Sequence, residues 1–320
     1  MKHLSSPKLI ACASLLASSS AMAAYVEIGN EYEDWGDQPQ RTNTMPYVAF
    51  EFNPLDDSSL FLYANFSYRH MDLSDERTWN NRARQDLALG FSEWYEDIGL
   101  WWGPKLQIRN EMYANDTRRT EYRFYNNLAY RLAEDYELIL DGFIAPVGTK
   151  NRPRGEDCVG ENGCQDSANN DRRENYWDYY HELDFGLRTQ LAWDKTLQTT
   201  LYSEVSKQNG FGGDNRDWEE NKRVEWQLRI NYTQRFNDLT LTPFVRYTFH
   251  REAESVGYGN KDELRIRAGL WGDYKLDDKS KIVFETYYQT EDKENFEDDW
   301  NQQQWTDDYF FWKLAYRRDF

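Results

Sequence analysis

The chain of 320 residues is short of aliphatic material, cysteine and positive charge. Hydrophobic residues make up 39%, but 17% of the chain is Phe, Trp and Tyr, so the aliphatic core-formers are depleted. A soluble domain of ordinary composition is about 45–50% apolar with glycine counted, and the mean hydropathy of −0.95 lies on the polar side. Past the first residues no apolar run reaches the length of about 18 that a membrane-crossing helix needs. Lys and Arg number 38 against 56 Asp and Glu, a formal net charge of −18. That balance argues against a nucleic-acid partner, whose phosphates demand basic surface. The aromatics are plentiful, with 23 Tyr, 17 Phe and 13 Trp, and disordered chains are poor in them. What survives is a folded β-rich chain with a wet face, either an open sheet or a closed barrel with a polar interior.

Residues 1–23 read as a secretory leader. Met1-Lys2-His3 and Lys8 are basic, Leu9 to Ala17 is a short apolar stretch, and Ala21-Met22-Ala23 is a small-x-small cleavage site. Residues 24–320 are then one domain, with a net charge near −20 once both leader lysines are gone. A rival reading makes Leu9-Ile10-Ala11-Cys12 a lipoprotein box, but only three apolar residues would follow Lys8 before the cysteine. Cys158 and Cys164 remain in the mature chain, close together in a Gly-containing polar segment. In an oxidising compartment such a pair is most simply a disulfide; a metal site lacks a local His.

Strict apolar alternation, with a period of two, recurs along the whole chain. Leu60, Leu62, Ala64, Phe66 and Tyr68 alternate with Tyr63, Asn65, Ser67 and Arg69; Val224, Trp226, Leu228, Ile230 and Tyr232 alternate with Glu225, Gln227, Arg229, Asn231 and Thr233. This is the pattern of a strand with one apolar and one wet face. About fourteen such segments are predicted, over 25–33, 44–52, 60–69, 82–92, 98–111, 120–131, 136–147, 174–191, 196–207, 222–236, 239–251, 262–276, 281–291 and 305–320. The connections between them alternate short and long. The short ones (53–59, 93–97, 132–135, 192–195, 237–238 and 277–280) carry turn residues. The long ones (34–43, 70–81, 112–119, 148–173, 208–221, 252–261 and 292–304) are polar and charged. Segregation of loops by face is the plan of an up-and-down transmembrane β-barrel. A sandwich does not need every second turn tight, and a propeller would show a blade repeat. Tyr and Trp near strand ends, such as Trp94, Tyr95, Tyr130, Tyr136, Trp177, Trp193 and Tyr274, fit the girdles at the two membrane interfaces.

The chain ends in Phe320, with Tyr316, Leu314, Trp312 and Phe310 on the same face. This resembles the terminal strand by which the barrel assembly machinery recognises bacterial barrels; Arg318 departs from it. Together with Leu241-Thr242-Pro243-Phe244-Val245-Arg246, Arg267 to Tyr274 and Val283 to Tyr287, the chain resembles the OmpG-like monomeric porins. The resemblance implies an outer-membrane channel for small sugars and ions, working as a monomer in Gram-negative outer-membrane lipid. The runner-up is the oligogalacturonate-specific porin family, with fewer strands and a basic lumen. In the first family acid closes the pore through a histidine pair at the outer strand ends. Asp262-Glu263 and Glu291-Asp292 stand there instead, which leaves His250 as the one nearby titrating candidate.

The wet face gives the expected channel wall. Arg82, Arg84, Lys105, Arg109 and Arg123 form one basic sector and Arg229, Arg246, Arg265 and Arg267 another, with Asp141, Glu182, Asp184 and Glu204 between them. Tyr63, Tyr125, Tyr202 and Tyr287 point inward as well, where aromatic faces suit sugar rings. The bland reading of these residues is that inward charges pair simply to keep a polar interior satisfied. The acidic outer loops predict a modest cation preference at low salt. No cofactor, metal cluster or phosphate loop is expected. A barrel enzyme would need a Ser–His pair on the lipid face or Asp and His groups above the rim, and His70, His181 and His250 lie in no Ser-centred motif.

Overall fold

The computed structural model describes residues 23–36, 41–54, 59–71, 81–114, 116–150, 175–207, 222–255, 259–295 and 303–320. The leader and the Cys158/Cys164 pair lie outside them. The described chain is almost entirely antiparallel strand: β1 (Ala23–Asp34), β2 (Asn43–Phe52), β3 (Leu60–Met71), β4 (Arg82–Phe91), β5 (Glu93–Tyr95), β6 (Leu100–Tyr113), β7 (Arg118–Ala133), β8 (Tyr136–Lys150), β9 (Asn175–Ala192), β10 (Lys195–Lys207), β11 (Lys222–Phe236), β12 (Leu239–Ser255), β13 (Gly259–Asp277), β14 (Ser280–Asn295) and β15 (Gln303–Asp319). Apart from β4 and β5, which both pair with β6, each strand pairs with its sequence neighbours, and β1 pairs with β15, so the sheet closes on itself. The short β5 continues β4 against β6 in an unchanged register: Gly90 faces Lys105 and Glu93 faces Trp102. The wall is therefore a fourteen-strand barrel with one interruption at Ser92.

The register fixes the girth. Followed pair by pair, Tyr25 leads through Glu51, Tyr63, Ala88 and Gln107 to Arg123. The same line continues through Ala145, Tyr180, Ser206, Arg223, Ala253, Lys261 and Asn295 to Gln303. Because Phe310 faces Asp34, Gln303 is level with Arg41, so one circuit climbs about 16 residues. With strands about 4.7 Å apart and a rise of about 3.3 Å per residue, that stagger tilts the strands by about 40° and sets a backbone radius of about 13 Å.

Alternation sorts the side chains. Ile28, Leu87, Leu89, Leu106, Ile108, Phe124, Phe185, Leu201, Leu228, Val245, Ile266 and Leu314 are exposed on the outer wall. The girdle aromatics join them, with Trp177 at 59% and Trp193 at 86% exposure. Charged, amide and hydroxyl-bearing residues take the inner face, and several are fully buried there, including Glu225, Gln289, Thr200 and Thr248.

Four connections are two-residue turns, at 134–135, 193–194, 237–238 and 278–279, and the chain end joins the same rim through the Phe320 N–H donated to Ala24 O. Two connections expected to be long are short. β6 and β7 run on to Tyr113 and Arg118, and β12 and β13 run on to Ser255 and Gly259. Their polar residues pair as ladder above the apolar belt instead of forming loops. At about 2.5 Å of height per tilted residue, a slab of about 25 Å uses only some ten residues; the 17 residues of β12 and 19 of β13 therefore project beyond it on the long-loop side.

Candidate functional site

The inner wall carries every residue proposed for it from the sequence, since each lies on the inward parity of its strand. The structure changes how they are grouped. The sector of Arg82, Arg84, Arg109 and Arg123 is not simply basic, because three buried carboxylates are set into it. Arg84 and Arg82 both reach Glu111, at 2.9 and 3.4 Å. Arg109 Nε donates to Asp86 at 2.7 Å. Arg123 Nε donates to Glu121 at 2.6 Å, and Arg119 joins from 3.1 Å. The second sector has the same construction: Glu225, its side chain fully buried, accepts from Arg265 and from Arg223 at 3.3 Å and is ion-paired with Arg251 at 3.1 Å. Glu291 bonds Arg251 and Arg265 at 2.9 and 3.4 Å. Inward Arg and Glu on neighbouring strands satisfy one another and hold the wall rigid.

The acidic sector is similarly linked. Asp184 pairs with Arg229 at 2.7 Å and accepts from Thr200. Glu182 accepts from Tyr180, and Glu204 from Tyr202 at 3.0 Å. Asp141 lies opposite Asp184 across the β8–β9 ladder.

Glu111, Asp86, Glu121, Glu225 and Glu291 follow the same alternation as the residues singled out, so their inward aim was readable; their role as clamps depends on which strands are neighbours. Arg251 was not readable. By plain alternation from Arg246 and Thr248, His250 would point inward and Arg251 outward. A bulge breaks the register between Trp226 and Gln227, so that Glu225 faces Arg251 and Trp226 faces His250. His250 is thereby turned to the outside, where its side chain is 47% exposed beside Glu252, and it is no gate inside the bore.

Aromatic residues gather on the inner face. Phe244, Tyr287, Tyr309 and Phe311 are buried together, flanked by Trp271 and Trp35. Tyr287 stacks on Phe311 at 4.6 Å and Trp35 on Tyr309 at 4.4 Å between centroids. From β1 round to β7, Tyr25, Tyr47, Tyr63 and Tyr125 help line a cavity of about 460 Å³ that also meets Lys105, Arg109, Asp86 and Glu51. Guanidinium or ammonium groups sit over several inner-wall rings, as Arg229 does over Tyr202 at 3.3 Å and Lys105 over Tyr125 at 3.9 Å. No group of three or more His, Cys, Asp or Glu side chains placed to hold a metal occurs among the described residues.

No protein-family model matches the chain, and no curated protein matches it in sequence. Solved structures do resemble it. A mutant of the TodX monoaromatic hydrocarbon channel superposes with a TM-score of 0.50 at 10% identity, covering 93% of this chain and 90% of that one. The P. putida toluene transporter TodX gives 0.48 at 9% identity, with 93% and 89% covered. The KdgM porin in complex with disordered oligogalacturonate gives 0.38 at 9%, with 92% and 99% covered. The likeness is one of fold. The chain is an outer-membrane β-barrel, and its apolar outer wall places it in the bacterial outer membrane.

Proposed function

We propose that this barrel is a porin, a water-filled channel for passive diffusion of small hydrophilic solutes, mono- to oligosaccharides and ions, and that it works as a monomer. One observation carries the reading: the inner wall is polar and charged around a barrel too wide for its side chains to fill. Eight-strand barrels are plugged by their own side chains, whereas sixteen to eighteen strands leave an aqueous channel. At a backbone radius of about 13 Å, inward side chains of about 6 Å leave a bore of about 7 Å radius. Liposome swelling with sugars of graded size tests it. Fast swelling for monosaccharides that falls off with solute size is expected, and absence of swelling for every sugar overturns the proposal.

The proposal is not an enzyme's. Among the described residues one His contacts a Ser: His181 Nε2 lies 3.4 Å from Ser203 Oγ on the outer wall. Its other ring nitrogen meets the Tyr179 hydroxyl at 3.1 Å rather than a carboxylate, so the pair lacks the acidic third member that stabilises the imidazolium in a Ser–His–Asp triad.

Three further parts belong to the same reading. The leader is removed after Ala23, which N-terminal sequencing of the mature protein checks; any other first residue than Ala24 counts against it. Cys158 and Cys164 are joined, so that intact mass rises by about two hydrogens on reduction; an unchanged mass refutes the bond. Phe320 is read by the assembly machinery, and its deletion lowers the amount of folded barrel in the membrane. Unchanged levels would remove that role.

A further inference from the structure

Three arginines stand side by side on one register line of the inner wall. Arg229 on β11 faces Arg246 on β12, and Arg246 faces Arg267 on β13. Like charges directly opposite on neighbouring strands are unfavourable, and in the two basic sectors Arg84, Arg109, Arg123, Arg251 and Arg265 are clamped by buried carboxylates. Here one member has such a clamp: Arg229 is paired to Asp184. Arg267 is held by neutral groups, donating to Gln289 at 2.7 Å and to the Tyr309 hydroxyl at 2.9 Å. The Arg246 side chain makes no hydrogen bond or ion pair with any described residue, and its Nε is buried without a partner. The next carboxylate, Glu285, is two inward positions down on β14, opposite Trp271, and forms no ion pair with either arginine. The uncompensated charge is thus centred on Arg246 and Arg267.

Directly beside the row is an aromatic floor. Arg246 lies over Phe244 at 4.9 Å and Arg267 over Tyr287 at 4.3 Å. Phe244 and Tyr287 belong to one cluster, their centroids 6.2 Å apart, with Trp271 5.0 Å from Phe244. Guanidinium forks take carboxylates in bidentate fashion, and aromatic faces take the apolar face of a ring.

We propose that Arg246 and Arg267, with Phe244 and Tyr287, form a binding site in the bore for a carboxylate carried on a six-membered ring. The proposal rests on the channel reading, whose permeant class it names. A sugar acid and an aromatic acid share that chemistry, and the experiment separates them.

Purified protein in planar bilayers is exposed to glucuronate, benzoate, acetate and glucose, and the interruption of single-channel current is recorded. In parallel, tryptophan fluorescence of the detergent-solubilised protein is titrated with the same four solutes, since Trp271 borders the site. At least one ring acid is expected to bind about tenfold more tightly than acetate or glucose, the better ring acid identifying the source. Arg246→Gln is expected to remove that advantage, while Arg235→Gln, on the same inner parity of β11 but far down toward the short-turn rim, keeps it. Ring acids no better than acetate and glucose in the unaltered protein overturn the site without any variant, as does an Arg246→Gln channel that keeps the full preference. If no conductance is seen but the fluorescence titration ranks the solutes as expected, the channel reading fails and the site stands.

Discussion

At the scale of single residues the wall depends on a few buried carboxylates. Glu225 is the sharpest case, since its two oxygens serve Arg251, Arg265 and Arg223 and its side chain has no solvent exposure. Replacing it by Gln removes the charge and leaves three guanidiniums crowded on adjoining strands. Breaking a buried pair by removing one partner costs about 3–5 kcal/mol, and the water in a bore moves the expectation to the lower end. Glu225→Gln is expected to lower barrel stability by about 3 kcal/mol, seen as an earlier midpoint in denaturant, while Glu137→Gln, in a half-exposed pair with Arg188 at 3.1 Å, costs less than about 1 kcal/mol. Equal losses would deny Glu225 its central place. Gly142 is a second such position. Its φ is +127°, and a Cβ there would lie 2.1 Å from the Glu182 carbonyl oxygen. Gly142→Ala is therefore expected to destabilise by about 2 kcal/mol, checked by the same denaturation. The sequence showed which residues face inward, because parity is local. It did not show which carboxylate meets which arginine, because that depends on strand neighbours and register.

At the scale of elements, the strands are legible nearly to their ends, and the departures have two causes. Polar composition predicts loops over 112–119 and 252–261, but strands that outrun the bilayer are wet on both faces and lose their alternation while keeping their ladder. The bulge in β12 is the other case. It moves Arg251 inward to Glu225 and Glu291 and sends His250 out. His70 and His181 are also on outward positions, facing Thr44 and Ile144 across their ladders. No described histidine faces the bore, so none can change the charge of the pathway as it titrates. Open-channel conductance is expected to stay level between pH 7 and 5, and single-channel recordings that show sharp closure over that interval would mean that a residue outside the described strands acts as a gate.

For the whole molecule, the charge excess and the wall part company. Inward arginines and carboxylates are interleaved, so the bore is close to neutral apart from the local excess at Arg246 and Arg267. The connections on the long-loop side (37–40, 72–80, 151–174, 208–221, 256–258 and 296–302) hold about half of the net negative charge in their sequence. Acidity concentrated at one mouth acts on ions before they enter. It raises the local cation concentration over a Debye length, which is about 10 Å at 0.1 M salt and about 3 Å at 1 M. A bore of about 14 Å diameter is covered by the first and not by the second. The expected result is a modest cation preference in a KCl gradient at low salt that fades as the mean concentration approaches 1 M, measured as a reversal potential. A preference that persists at 1 M would place the selective charge on the wall itself. A chloride preference at low salt would mean that the unpaired arginines inside, rather than the acidic mouth outside, govern the passage of small ions.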